Sequence, residues 1–83
     1  MPEPKKPLHI YNFQGVHCPI NYVKTKLALE VLDIGAIIEV IVDNGEPARH
    51  VPKSIEGDGQ RVVNSFTDEE GLVHLWIEKV VDF

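Results

Sequence analysis

The sequence predicts an α/β fold: a two-layer sandwich in the order β-α-β-α-β-β, with two helices on one face of a four-stranded mixed sheet. Three features predict it. Ala36 to Asp43 is an apolar, largely β-branched run interrupted only by Glu39. The stretch opening at Pro19 carries apolar residues at helical spacings of three and four. Two further β-rich stretches near the C-terminus flank the acidic turn Asp68-Glu69-Glu70-Gly71. At 83 residues the chain is expected to be one domain, with a flexible tail over 1–7 and the folded unit over 8–83. A chain of this size buries only about 60% of its unfolded surface, so good packing matters. Its 43% apolar content is sufficient for a core and argues against disorder.

The tail holds three prolines and two lysines. Leu8 to Phe13 reads as the first strand, and Gln14-Gly15 breaks it. The first helix is expected from Pro19 to about Leu32. Ile20, Val23, Leu27 and Val31 form one apolar stripe, widened by Ala28 and Leu32, and Asn21, Thr25, Lys26, Glu30 and Asp33 lie away from its centre. Gly35 is placed to turn the chain. In the strand Ala36 to Asp43, Ile38, Val40 and Val42 share the face assigned to the core, and Ile37, Glu39, Ile41 and Asp43 share the other. Asn44-Gly45 reads as a strand-to-helix loop because Glu46-Pro47-Ala48-Arg49 follows. Proline is tolerated only in a first helical turn, so Pro52 moves the expected start of regular helix to near Val51. That helix is anchored by Val51 and Ile55 and ends by Gly57-Asp58-Gly59. Gln60 to Thr67 reads as strand three, with its buried face undecided among Val62, Val63 and Phe66. Leu72 to Val80 is strand four, with Val73, Leu75 and Ile77 inward and Leu72, His74, Trp76 and Glu78 outward. Trp76 on that open face is either a partner contact or a ring partly covered by its neighbours.

Charge is uneven along the chain. Residues 1–26 hold four lysines against Glu3, whereas residues 27–83 hold four basic and twelve acidic residues, for a net charge of −5. The acidic body argues against direct nucleic-acid binding, which needs a basic face. The basic segment around the cysteine suits an acidic partner surface or a sulfur anion. No apolar run approaches the roughly 18 residues needed to span a membrane. One cysteine excludes an internal disulfide, and without a signal peptide a reducing cytoplasm is the expected location. Four histidines and one cysteine show no metal-ligand spacing, no phosphate-binding loop is present, and no cofactor is expected.

The sole cysteine, Cys18, precedes Pro19, and proline is favoured at the first helical position. Cys18 then falls at the N-cap, beside unpaired N–H groups and the positive end of the helix dipole. An anion there gains about 0.3–1 kcal/mol, enough to lower a thiol pKa by several tenths of a unit. A thiol so placed ionises readily; the alternative is a small buried hydrophobe. Lys24 and Lys26 are within reach of that helix end. Lys24 either aims its charge at the sulfur or a partner, or lays its stem on apolar surface with its head in water.

Gly15-Val16-His17-Cys18-Pro19, followed by a helix carrying Lys24 and Lys26, resembles the TusA-like (SirA-like) sulfur-carrier family, whose signature is Gly-Leu-x-Cys-Pro-x-Pro at the start of the first helix. Leu32-Asp33-Ile34-Gly35 looks like the family's helix-ending turn, and Ile38-Glu39-Val40 with Asp43 like its second strand. Val51-Pro52 and Asp58-Gly59 look like its Ile-Pro and Gly-His positions around helix two. Three residues depart from the pattern: Asn21 stands at the second proline, Asn12 where Asp is usual, and Gln60 where His is common. The resemblance implies that Cys18 accepts a sulfane sulfur as a persulfide and passes it on. Pro19 would set the helix start, and Lys24 and Lys26 would supply positive potential. The implied partners are a donor such as a cysteine desulfurase or a rhodanese-like protein, and an acceptor protein in tRNA thiolation, molybdenum-cofactor maturation or sulfur oxidation. A monomer is expected. The rival class is a non-catalytic interaction or regulatory module on the same fold, with an ordinary thiol. A redox role would need a second cysteine to resolve a disulfide.

Overall fold

The computed structural model describes residues 6–17 and 19–82. The chain follows the predicted order through β1 (His9–Asn12), α1 (Ile20–Glu30), β2 (Ile37–Val42), α2 (Glu46–Gly57), β3 (Arg61–Thr67) and β4 (Val73–Glu78). The strands make one sheet in spatial order β1-β2-β4-β3. β1 and β2 are parallel, joined by a crossover through α1, whereas β2–β4 and β3–β4 are antiparallel. The sheet is therefore mixed, as expected.

The core lies where the strand alternation put it. Ile38, Val40 and Val42 are buried and stand opposite Ile77, Leu75 and Val73. Leu29 of α1 and Val51 and Ile55 of α2 pack onto that face. β3 carries a register shift between Val62 and Asn64. The extra residue resolves the undecided face: Val62 packs against the core, Val63 is exposed, and Phe66 stacks on His74 on the opposite side of the sheet.

Two helical expectations are corrected. The second helix begins at Glu46, not near Val51, and runs through Pro52 to Gly57. Gly45, at φ 103°, turns the chain out of β2, and Pro47 sits in the first turn, where a missing N–H has no helical partner. Pro52 forfeits one internal bond. The helix continues because Val51 and Ile55, on either side of it, are both fully buried anchors.

The first helix is shorter than predicted and turned the other way. Its apolar stripe points outward, with Ile20, Val23, Leu27 and Val31 exposed at 54, 44, 55 and 81%. Asn21 and Thr25, expected away from the core, are 0% exposed. Spacing identifies a stripe but not the side that meets the sheet. Here Leu29, with Tyr22, Ala28 and Leu32 half-buried beside it, supplies enough apolar surface on the inner side. The two inward polar residues are satisfied: Thr25 Oγ1 donates to the Asn21 carbonyl at 2.8 Å, and Asn21 is bonded through its own side chain.

Lys79, just past β4, is buried, and its Nζ donates to the carbonyls of Leu32 (2.6 Å) and Glu30 (3.3 Å) at the end of α1. Buried Gln60 holds the C-terminal segment. Its Oε1 accepts from Val80 N (2.7 Å) and its Nε2 donates to the Val81 carbonyl (2.7 Å).

Candidate functional site

The segment leading to Cys18 is fastened at several points. Phe13 N–H continues the β1 ladder onto the Ile41 carbonyl at 2.8 Å. Asn12 Oδ1 accepts from Gln14 N–H at 2.9 Å and shapes the turn. Gly15 takes φ 78°, a conformation costly for residues with a Cβ, and its N–H donates to Asp43 Oδ2 at 2.9 Å. The loop after β1 is thereby tied to the end of β2, and the Asp43 carboxylate is engaged on backbone.

Cys18 itself lies outside the described residues, as do the tail residues 1–5. The carbonyls of both neighbours of Cys18 accept bonds from the first turn of α1. Asn21 N–H donates to the His17 carbonyl (3.1 Å), and Val23 N–H donates to the Pro19 carbonyl (3.0 Å). Pro19 is the helix cap, with φ −94° and ψ 9°, and not the first helical residue. The hydrogen-bonded turn nonetheless starts upstream of it, at His17.

Asn21 is the residue of this site that sequence reasoning missed. Its Nδ2 reaches back to the Val16 carbonyl at 3.4 Å, and its Oδ1 accepts from Tyr22 N–H at 2.7 Å. It thus joins the loop before the cysteine to the helix after it, at the position where the family signature has a second proline. A buried Asn with a bonded side chain was available as a signal only in that departure from the signature.

Lys24 is exposed, and its Nζ stands 6.0 Å from the centroid of the Phe13 ring, at the edge of cation–π range. That contact leans the cation toward the loop that delivers Cys18. Lys26, half-buried, lies two positions on and does not share Lys24's side of the helix. One turn into α1, the Tyr22 hydroxyl donates to Asp58, the C-cap residue of α2. The Asp58 hydrogen bond, helped by burial, raises the Tyr22 pKa above its ordinary value. Among the described residues no group of His, Cys, Asp and Glu could hold a metal ion, and no helix is long and apolar enough to cross a membrane.

These features define a class: a small single-cysteine α/β domain in which Cys-Pro enters a fastened first helix from the end of a sheet. The sequence matches the sulfurtransferase TusA family over residues 9–79. The chain belongs to that family. It is similar to the "Putative sulfur carrier protein" of Archaeoglobus fulgidus, 36% identical over 55 residues. That stretch is 66% of this chain and 62% of the relative, so the similarity spans under two thirds of the relative's length. The crystal structure of a SirA-like protein from Desulfitobacterium hafniense superposes with a TM-score of 0.77 at 25% identity, covering 89% of this chain and 100% of that one.

Proposed function

We propose that this protein is a sulfur carrier and that Cys18 bears the sulfur. The observation that carries the reading is the family match across residues 9–79, together with a sole cysteine at the family's Cys-Pro position. The Cys18 thiolate attacks the outer sulfur of a donor persulfide. A new S–S bond forms at Cys18, the donor's S–S bond breaks, and the donor cysteine leaves as a thiolate with no net oxidation. Onward delivery repeats the exchange, with an acceptor group attacking the terminal sulfur.

The surroundings suit this chemistry. A persulfide is an anion near neutral pH, and a helix start favours negative charge. Pro19 fixes the entry to α1. Lys24, with Lys26 in support, adds positive potential, and the nearby Asp43 and Asp58 carboxylates are each engaged, one on Gly15 N–H and one on the Tyr22 hydroxyl. The donor is a cysteine desulfurase or a rhodanese-like protein. The acceptor is a protein of tRNA thiolation, molybdenum-cofactor maturation or sulfur oxidation, and a reducing cytoplasm is the matching compartment.

Intact mass after incubation with a cysteine desulfurase and cysteine, or with a rhodanese and thiosulfate, tests the reading. The expected result is a gain of one sulfur atom, reversed by reductant and absent in Cys18→Ser. No gain from either donor, or an equal gain in Cys18→Ser, overturns it and leaves the interaction-module reading.

A further inference from the structure

The outward stripe of α1 requires an explanation of its own. A helix that buries Asn21 and Thr25 and leaves four aliphatic side chains in water gives up apolar burial worth about 25 cal/mol per Å². The exposed residues are contiguous along one side of the helix, and large apolar patches of that kind mark interaction surfaces. The stripe begins at Ile20, two residues after Cys18 in the chain, so a protein that engages the thiol from that end of α1 meets the stripe first.

Size and charge narrow the occupant. An eleven-residue helix offers a strip about 16 Å long and about 10 Å across, far short of the roughly 800 Å² per partner of a stable complex. A permanent dimer through this strip is therefore disfavoured, whereas an encounter that must form and dissociate at each transfer fits it. Residues 6–26 contain Lys6, Lys24 and Lys26 and no acidic residue, in a protein whose remaining chain carries an excess of carboxylates. Lys24 is exposed beside Ile20 and Leu27 at helical spacings of four and three. An acidic partner is repelled by the body of the molecule and accepted along this helix.

We propose that Ile20, Val23, Leu27 and Val31, with Lys24 beside them, form the docking surface for the protein that delivers sulfur to Cys18, a partner presenting an apolar patch rimmed by carboxylates. The inference rests on the sulfur-carrier reading and names the partner surface for it.

The test compares enzyme-dependent with enzyme-free loading of the full chain. Wild type, Leu27→Ser, Val23→Ser and Val31→Ser are titrated as substrates of a cysteine desulfurase or a rhodanese, whichever loads wild type faster. Each is also loaded directly with sodium tetrasulfide, from which the Cys18 thiolate takes one sulfur and releases the shorter polysulfide. Circular dichroism checks that each variant is folded. The expected result is a rise of about tenfold in KM for the carrier, with kcat and the tetrasulfide rate unchanged. Unchanged KM in all three variants overturns the proposal, as does an equal loss in both loading routes. Wild type loaded by neither enzyme overturns the carrier reading and the donor surface with it, whereas wild type loaded by an enzyme with KM unchanged in the variants overturns the donor surface alone. Concentration-dependent dimerisation abolished by Leu27→Glu would assign the stripe to a second copy and overturn the donor assignment.

Discussion

Replacing Asn21 with alanine would remove one donor and one acceptor from a fully buried position. The Val16 carbonyl would lose its Asn21 Nδ2 partner and Tyr22 N–H its Oδ1 acceptor, both in half-buried surroundings. Leaving buried polar groups unpaired costs about 1–3 kcal/mol. A domain of this size shifts its Tm by roughly 4–8 °C per kcal/mol, so a thermal melt of Asn21→Ala should show a clear drop. A melting temperature within a degree or so of wild type would mean that the side chain fastens nothing. The residue was legible in the sequence only as a departure from the family signature. Its burial depends on which side of α1 meets the sheet, and helical spacing does not contain that information.

At the scale of elements, orientation was harder to read than existence. β2 and β4 were read correctly to the residue on their core faces, because alternation with a period of two leaves one apolar face and one mixed one. α1 has apolar residues on two sides, Ile20, Val23, Leu27 and Val31 on one and Leu29 with Ala28 and Leu32 on the other. Distant contacts decide between them. Lys79 is one: 49 residues beyond Glu30, it places a buried ammonium at the negative end of the helix dipole and donates to the carbonyls of Glu30, the last helical residue, and of Leu32 just beyond. Asp82 stands 3.5 Å from the same Nζ. Lys79→Met keeps the stem and removes the head. The expected outcome is a loss of about 1–3 kcal/mol in urea unfolding, from carbonyls stripped of their donor and from the lost helix-end charge. An unaltered unfolding midpoint would show that water replaces the ammonium without cost. In the same way Pro52, taken alone, argued for a later helix start, and the buried pair Val51 and Ile55 outweighed it.

At the scale of the molecule, the sheet face away from the helices is held by a network that couples three strands. His74 of β4 places Nδ1 3.0 Å from Glu39 Oε2 of β2 and Nε2 2.7 Å from Asp68 Oδ2 in the β3–β4 turn. Trp76 Nε1 donates to the other Glu39 oxygen at 2.7 Å, and Phe66 of β3 stacks on the imidazole with centroids 4.6 Å apart. Trp76, read as either a contact or a covered ring, is half-buried and bonded within this network. The sequence set His74, Trp76 and Glu39 on outward faces, but the pairing of β2 with β4 that joins them spans more than thirty residues. Both ring nitrogens face carboxylate oxygens, an arrangement that favours the doubly protonated ring. The Asp68 hydrogen bond, then that of Glu39, raises the His74 pKa above its ordinary value, and the His74 hydrogen bond lowers that of Asp68. The signs follow from linkage. A raised folded-state value for His74 gives stability that is complete below the unfolded histidine value of about 6.5 and is lost as pH rises through the folded value. The lowered Asp68 value gives stability present above about 3.9 and lost as pH falls through its folded value. Between those limits the β3–β4 turn is clamped to the sheet. Urea unfolding of wild type from about pH 6 upward should therefore show falling stability, and His74→Gln should remove that slope. A wild-type profile as flat as that of the variant would mean that the ring does not hold its second proton in the folded state.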